Sequence, residues 1–418
     1  MRIGIDGSCL SNRRGFGRFA RRLVEALARR AAPHRFTVFV DAPSSASVAV
    51  PEGFERVVVD VGEAPSRAAA AGGRRRWRDM LAMGRAVARH GLDVMYFPAT
   101  YSFFPVWNAG RLVVTMHDTL PLQHPELVFP RLGGRIAWRL KEAAAARWAD
   151  RIVTVSQASR RAIEGWLGRP DPRIRVITEG PDPIFGPRDV GPESDAVLRR
   201  HGLRPGERFL LYVGGLSPHK NLPRLVEAFA FARSAGDDVR LVLTGDVHDV
   251  FHTCVPAIRA AIERHGLGDR VILTGFVPDE DLVFLYGRAY VLVQPSLLEG
   301  FGLPAVEAMA CGTPVISSRA GSLPEVIGAA GVYFDPTDVG SIAAAIGRLL
   351  AEPDRRDRLA AHALKRAARF NWDVAARGLL DCFDELDPTR DSRRSGLRHL
   401  GTHAHPAGRT VAPTPRAG

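Results

Sequence analysis

The chain has 418 residues, 46% hydrophobic and 24% charged, which are globular values and leave room for two domains of ordinary size. The net charge of +12 fits three partners: nucleic acid, an anionic membrane or a phosphorylated substrate. No apolar run reaches the roughly 18 residues of a membrane span, and Met1 leads directly into a strand pattern with no apolar signal region. Cys9, Cys254, Cys311 and Cys382 are scattered without metal-ligand spacing. They read as free thiols, and a cytoplasmic location is expected. Nearly all basic residues are arginine, with lysine only at 141, 220 and 365. That skew fits a GC-rich genome and makes each lysine position informative.

In chain order, β-branched strand runs alternate with helical patterns, which predicts an α/β protein with parallel sheets and crossover helices. Strands are expected near 2–5, 36–40, 57–59, 94–97, 112–116, 152–156 and 174–177 in the first half. In the second half they are expected near 209–213, 240–244, 271–274, 291–294, 314–317 and 332–334. Each set suffices for one doubly wound, Rossmann-like domain, the first over 1–180 and the second over 206–370. A Gly-, Pro- and charge-rich connection over 181–205 joins them. A helix over 371–386 follows, and the composition of 387–418 predicts a disordered basic tail. The cleft between two such domains is the expected ligand site.

The first strand leads to Gly15-Phe-Gly17-Arg18 ahead of an amphipathic helix. A loop of this kind brings backbone N–H groups to a phosphate. With Ala20 and Asp41 it also matches a dinucleotide fingerprint, although Ser8–Arg14 lengthens the turn. Next, the pair His117-Asp118 ends a strand and precedes a Pro-containing loop. Ser156 reads as the N-cap of a further helix, with Arg160 a minor candidate beyond it. In the second half, Val213-Gly-Gly-Leu-Ser-Pro-His219-Lys220-Asn221 places one of the few lysines at a strand-to-helix loop, a good position for phosphate binding. Thr274–Leu282 carries Phe276 and Val277, then Asp279-Glu-Asp281, acids that suit a helix N-terminus and are not assigned to a metal. Glu299-Gly-Phe301-Gly302-Leu303-Pro-Ala-Val-Glu307 follows a buried-strand pattern and opens a helix. Its amides suit an anion, Gly302 allows close approach, and its two carboxylates suit sugar hydroxyls. A diphosphate flanked by two sugars would use all three features. Gly321–Val326 lies in the loop after the next strand, where Glu325 reads as a helix-start acid.

Taken together, these segments resemble, over about residues 1–386, the retaining GT-B glycosyltransferases of family 4 (glycosyl transferases group 1), in the family order and with most specificity from Leu210 to Pro336. His117-Asp118 and Pro218-His-Lys-Asn221 are most similar to the mannosyltransferase branch. The resemblance implies two Rossmann-like domains facing a cleft, no required cofactor and no metal. The donor it implies is a nucleotide diphosphate sugar, GDP-mannose first, with UDP- and dTDP-sugars, including rhamnose donors, also open. The expected acceptor is a glycan or a lipid-linked glycan. By the same resemblance Lys220, with amides near Gly15, Gly17, Phe301, Gly302 and Leu303, would hold the diphosphate. Glu307 would hold the ribose, Phe276 and Val277 the base, and Glu299 and His117 the donor sugar. Many members carry arginine where Gly215 stands, and close relatives often carry one where His219 stands. This chain has neither, so a single fixed cation, aided by His219 if protonated, would hold the diphosphate.

Two basic patterns rich in aromatic residues, 74–85 with Trp77 and 131–151 with Trp138 and Trp148, could lie on an anionic membrane. The alternative, slightly favoured for each, is that their apolar faces pack within the domain. Nucleic acid is the least favoured partner. Rival readings are a dinucleotide-dependent oxidoreductase built on Gly15 and Asp41, a noncatalytic basic binder, and an epimerase or phosphorylase of similar architecture.

Overall fold

The computed structural model describes residues 1–12, 15–30, 33–63, 76–129, 131–232, 238–246 and 253–387. The expected tail beyond 387 and the arginines at 74 and 75 fall outside them. The first sheet is built from β1 (Arg2–Asp6), β2 (Arg35–Asp41), β3 (Glu55–Val59), β4 (Val94–Phe97), β5 (Arg111–Thr115), β6 (Arg151–Thr154) and β7 (Ile174–Val176). The second is built from β8 (Arg208–Val213), β9 (Val239–Thr244), β10 (Val271–Gly275), β11 (Val291–Gln294), β12 (Val315–Ser318) and β13 (Gly331–Phe334). Every strand read from the sequence is present, with ends shifted by a residue or two. Their orders are β3-β2-β1-β4-β5-β6-β7 and β10-β9-β8-β11-β12-β13, and the paired strands run parallel. The central strands are buried on both faces, as in β4 and β11. This is why they appear in the sequence as continuous apolar runs rather than alternating ones.

In both sheets the strand order reverses once, between β1 and β4 and between β8 and β11. Such a switch point opens a crevice outside the carboxyl ends of the strands. The loops after β1, β5, β8 and β11, where the sequence motifs fall, therefore gather along the facing ends of the two sheets.

Two segments carry structure that the sequence did not specify. The 181–205 connection contains the helix Pro192–Arg200, with Pro at its start, acids in its first turn and arginines in its last, a favourable arrangement for the helix dipole. It packs on the helix Asp279–Arg288 through Arg200–Asp281 at 2.6 Å and Arg288–Asp195 at 3.2 Å. The last helix, Trp372–Asp384, returns to the first unit and packs along the helix Gly15–Arg29. The Trp372 indole N–H donates to the Pro181 carbonyl at 3.0 Å, and Phe19 meets its ring edge-on at 5.9 Å.

The helix Leu132–Trp148 buries only Glu142, Ala145 and Ala146. Leu132, Ile136 and Leu140, one turn apart, are 69%, 53% and 66% exposed. The favoured inward packing forms in part, through Trp138 on Phe129 and through Ala145 and Ala146, while an aliphatic stripe faces outward between Arg131, Arg135 and Arg139.

Because Trp372 is the joint that returns the chain to the first unit, Trp372→Ala is expected to cost about 3–5 kcal/mol. Thermal melts should show a clearly lowered transition, and an unchanged melting temperature would contradict this role.

Candidate active site

Lys220 and Glu299 stand on the two sides of the β8/β11 switch point and meet there. The Lys220 ammonium donates to Glu299 Oε1 at 2.6 Å, and the Ser296 hydroxyl donates to the same oxygen at 2.7 Å. Burial drives the Glu299 carboxyl upward, but the Lys220 charge and these hydrogen bonds outweigh it and hold the group below its usual range. The lysine is fixed by its neighbour Asn221. Asn221 adopts a left-handed conformation, φ +62°, and its amide donates to the carbonyls of Pro295 and Pro336. His219, half-buried beside the Lys220 charge, has its pKa lowered by both effects, to about 3. In the free protein it is therefore neutral at physiological pH and adds no second cation.

The loop carrying Glu299 is shaped from behind. The Ser322 N–H donates to the Glu299 carbonyl at 3.1 Å and its hydroxyl to the Phe301 carbonyl at 2.9 Å. A Cβ on Gly321 would lie 2.3 Å from the Glu299 carbonyl oxygen, so the loop after β12 must be bare at that point. Gly302, φ +95°, turns the chain into the helix Leu303–Ala310, whose first amides lack intrahelical acceptors. Phe301 and Leu303 are buried beside it.

Glu307, on the same helix, is buried with both oxygens engaged. Tyr286 donates its hydroxyl to Oε2 at 2.9 Å, and Arg18 donates to Oε1 from the other unit. Arg18 also reaches Asp279 Oδ1 at 2.6 Å and lies 5.5 Å from the Phe185 ring centroid. Burial raises the Glu307 carboxyl, and the Arg18 charge with the Tyr286 hydroxyl counters only part of that rise. Asp281 binds Arg200 and His201, so these acids serve as ion-pair partners. Among the described residues no group of three or more His, Cys, Asp or Glu side chains converges as a metal site.

Gly15 and Gly17 play different parts. A Cβ at Gly15 would meet nothing within 4 Å, whereas one at Gly17 would lie 1.7 Å from the Asn12 carbonyl oxygen. Gly17 is thus required by its own loop, whatever binds nearby. Phe276 is 58% exposed, a free ring face, while Val277 beside it is buried.

His117 lies at the wall of the cleft with both ring nitrogens directed into the first unit. Nε2–H donates to the Pro98 carbonyl at 2.9 Å and Nδ1 faces Glu179 Oε1 at 3.5 Å. Phe16 and Phe19 flank the ring, at centroid distances of 4.8 and 4.6 Å. Asp118 accepts the Leu120 N–H at 2.9 Å. The backbone of His117 touches the second unit: a Cβ on Gly300 would lie 2.6 Å from its carbonyl oxygen.

Across the cleft, the Ser156 hydroxyl donates to the Gly300 carbonyl at 2.7 Å, and the single Ser159 hydroxyl proton is shared between the His117 carbonyl at 2.9 Å and the Gly300 carbonyl at 3.1 Å. Ser156 is the N-cap expected, accepting the Ser159 N–H at 2.9 Å. Glu325 begins its own short helix, but its carboxylate reaches the other unit and accepts the N–H groups of Gln157 and Ala158 at 2.8 and 2.9 Å. Arg160 binds Glu164 along its own helix and has no such role. Sequence reasoning missed Arg18, Glu179, Tyr286 and this use of Glu325. Arg18 alone carried a signal, as the charged residue closing the Gly15–Gly17 loop.

Comparison with known proteins places this geometry in a family. Residues 13–185 match the model of Glycosyltransferase Family 4 and residues 194–366 that of Glycosyl transferases group 1. The chain is 34% identical over 294 residues to an O-antigen chain mannosyltransferase B of Escherichia coli, covering 68% of this chain and 73% of that protein. It is 35% identical over 301 residues to a D-inositol 3-phosphate glycosyltransferase of Acidothermus cellulolyticus, covering 70% of this chain and 65% of that one. Among solved structures, sucrose-phosphate synthase from Thermosynechococcus elongatus superposes with a TM-score of 0.74 at 22% identity, over 92% of this chain and 99% of the other. With its paired glutamates at the second switch point and its two facing parallel sheets, the chain belongs to the group 1 glycosyl transferases of the GT-B fold.

Proposed function

We propose that this glycosyltransferase transfers a hexosyl group, mannose first, from a nucleotide diphosphate sugar to a glycan or lipid-linked acceptor with retention of configuration. The observation that carries it is the convergence of Lys220, Glu299 and the start of the Leu303 helix at one switch point. A cation, a carboxylate and outward amides within one crevice suit a departing diphosphate next to an electron-poor anomeric carbon. In the reaction, the acceptor hydroxyl bonds to the anomeric carbon on the face from which the phosphate leaves. The C–O bond to phosphate breaks, and the hydroxyl proton passes to the departing phosphate oxygen. Lys220 and the amides from Phe301 to Leu303, with those near Gly15 and Gly17, stabilise the phosphate charge. Glu299 holds donor-sugar hydroxyls, and Glu307 takes the ribose diol by exchanging its Arg18 contact. Phe276 covers the base, with Val277 beneath.

With its ring nitrogens committed to Pro98 and Glu179, His117 serves as a positioning residue rather than the group on the donor sugar that its motif suggested. No cofactor beyond the donor is assigned. Mannose is supported by the mannosyltransferase relative and by the His117-Asp118 and Pro218–Asn221 segments. The exposed Leu132, Ile136 and Leu140 stripe among arginines supports peripheral binding to an anionic membrane surface.

Glu307→Ala is expected to abolish measurable GDP-mannose binding by calorimetry; tight binding in the variant would remove Glu307 from the site. Lys220→Met is expected to lower kcat by about 100-fold or more.

The same substitution changes the pH dependence of stability. In the wild type the folded Glu299 carboxyl is more acidic than the unfolded one. Its contribution is therefore present above the ordinary carboxylate pKa of about 4.3 and lost as pH falls through the lower folded value. In Lys220→Met burial acts without the ammonium, so the folded carboxyl rises above its ordinary value. Melts should show the variant gaining on the wild type as pH is lowered from 8 towards 5; a constant difference would contradict the pairing.

Replacing Leu132, Ile136 and Leu140 together by Ser is expected to abolish sedimentation with phosphatidylglycerol vesicles. Unchanged sedimentation would remove that face from the membrane reading.

A further inference from the structure

Glu325 lies in the first turn of the short helix Leu323–Ile327, where a carboxylate ordinarily serves the free amides of its own helix. Both of its oxygens instead cross the cleft, Oε1 to the Gln157 N–H at 2.8 Å and Oε2 to the Ala158 N–H at 2.9 Å. These are the first two amides of the helix Gln157–Leu167, which lack intrahelical acceptors and carry the positive end of its dipole. The Ser156 hydroxyl takes the next, the Ser159 N–H. A helix start of the first unit is therefore completed by a side chain of the second, and the contact exists only while the two units are together.

The Glu325 segment is also the back wall of the Glu299 loop. Ser322, three residues earlier, donates its N–H to the Glu299 carbonyl at 3.1 Å and its hydroxyl to the Phe301 carbonyl at 2.9 Å. Gly321 lies flat on the same backbone: a Cβ there would sit 2.3 Å from the Glu299 carbonyl oxygen and 2.8 Å from its nitrogen. From the far side Arg366 donates to the carbonyls of Glu325 and Val326 at 2.5 and 2.8 Å. Its guanidinium lies 5.2 Å from the Phe370 ring centroid, and that ring meets Phe301 edge-on at 5.4 Å. The segment is pinned on both sides, so its position sets that of the Glu299 loop. The helix start at Gln157 also holds the front of the loop, because the Ser156 hydroxyl donates to the Gly300 carbonyl at 2.7 Å.

We propose that Glu325 is a positioning residue that couples closure of the two units to the placement of Glu299. With the first unit's helix against it, the Gly321–Val326 segment presses the Glu299 loop into the shape that meets Lys220. When the units part, Glu325 gives up its amides and the back wall is released. The proposal deepens the transferase reading above and rests on it for the role of Glu299.

Hydrogen exchange on the donor-free full chain tests the coupling in Glu325→Gln and Glu325→Ala. Glutamine keeps the length but has one acceptor oxygen and no charge, whereas alanine removes the contact. Exchange at the Gln157 and Ala158 amides is expected to rise in both. Exchange at the Ser322 amide, which is bonded to Glu299, is expected to rise with it, by about tenfold for alanine, the size of a partly buried carboxylate at a helix start, and less for glutamine. Glu325→Gln serves if Glu325→Ala does not fold. Faster exchange at Gln157 and Ala158 with Ser322 unchanged would reduce the contact to a stabilising one and overturn the proposal, as would no change at any of the three. Turnover of GDP-mannose with methyl α-D-mannopyranoside gives a second readout. The expected result is a lowered kcat with the donor KM unchanged, glutamine lying between alanine and wild type; a raised KM at unchanged kcat would contradict positioning of Glu299. If the wild type turns over no GDP-mannose, the donor assignment falls, and exchange at Ser322 alone decides the coupling.

Discussion

Holding a carboxylate charged in a closed crevice requires a fixed cation, and in this protein that requirement is met by Lys220 against Glu299. Much of the second unit serves this contact. Asn221 fixes the lysine loop, Ser296 completes the acceptor oxygen, and Ser322 with the bare Gly321 shapes the Glu299 loop from behind. The parallel topology brings the two residues together, since they follow strands that are neighbours only because the sheet reverses order between β8 and β11.

The first unit closes on the same loop. Ser156 and Ser159 hold the Gly300 carbonyl, Glu325 caps the neighbouring helix from across the cleft, and Arg18 reaches Glu307 and Asp279. Each of these contacts joins the units through a charge-assisted or buried hydrogen bond, of a kind stronger than an exposed ion pair. On the proposed reading the diphosphate and ribose enter where Lys220 and Arg18 are already placed. The ligand then exchanges one set of partners for another instead of meeting bare charges.

Much of this was legible in the sequence. The doubly buried strands announce themselves as short apolar runs. The Glu299–Glu307 segment is local enough to be read as a motif, and Ser156 is an N-cap by residue type and position. What escaped depends on distance along the chain. Nothing near Arg18 tells that its partner is Glu307, or near Glu325 that it caps a helix of the other unit. The His117-Asp118 pair reads as a unit, yet burial turns the imidazole towards Pro98 and Glu179 while Asp118 caps a turn. His219 shows the same limit, because its neutrality comes from burial and from Lys220 together. The helix at Leu132 was legible only in part, since Trp138, Ala145 and Ala146 pack inward while Leu132, Ile136 and Leu140 stay exposed, and the pattern does not say which apolar side is covered.

The central claim is retaining transfer from a nucleotide sugar at the Lys220–Glu299 crevice. The most direct measurement is NMR observation of the first sugar product formed when the purified protein is offered GDP-mannose, UDP-glucose, UDP-N-acetylglucosamine and dTDP-rhamnose with a pyranoside acceptor. The account predicts turnover of one donor, GDP-mannose first, with the product carrying the anomeric configuration of that donor. An inverted product, or no turnover of any nucleotide sugar, would contradict it.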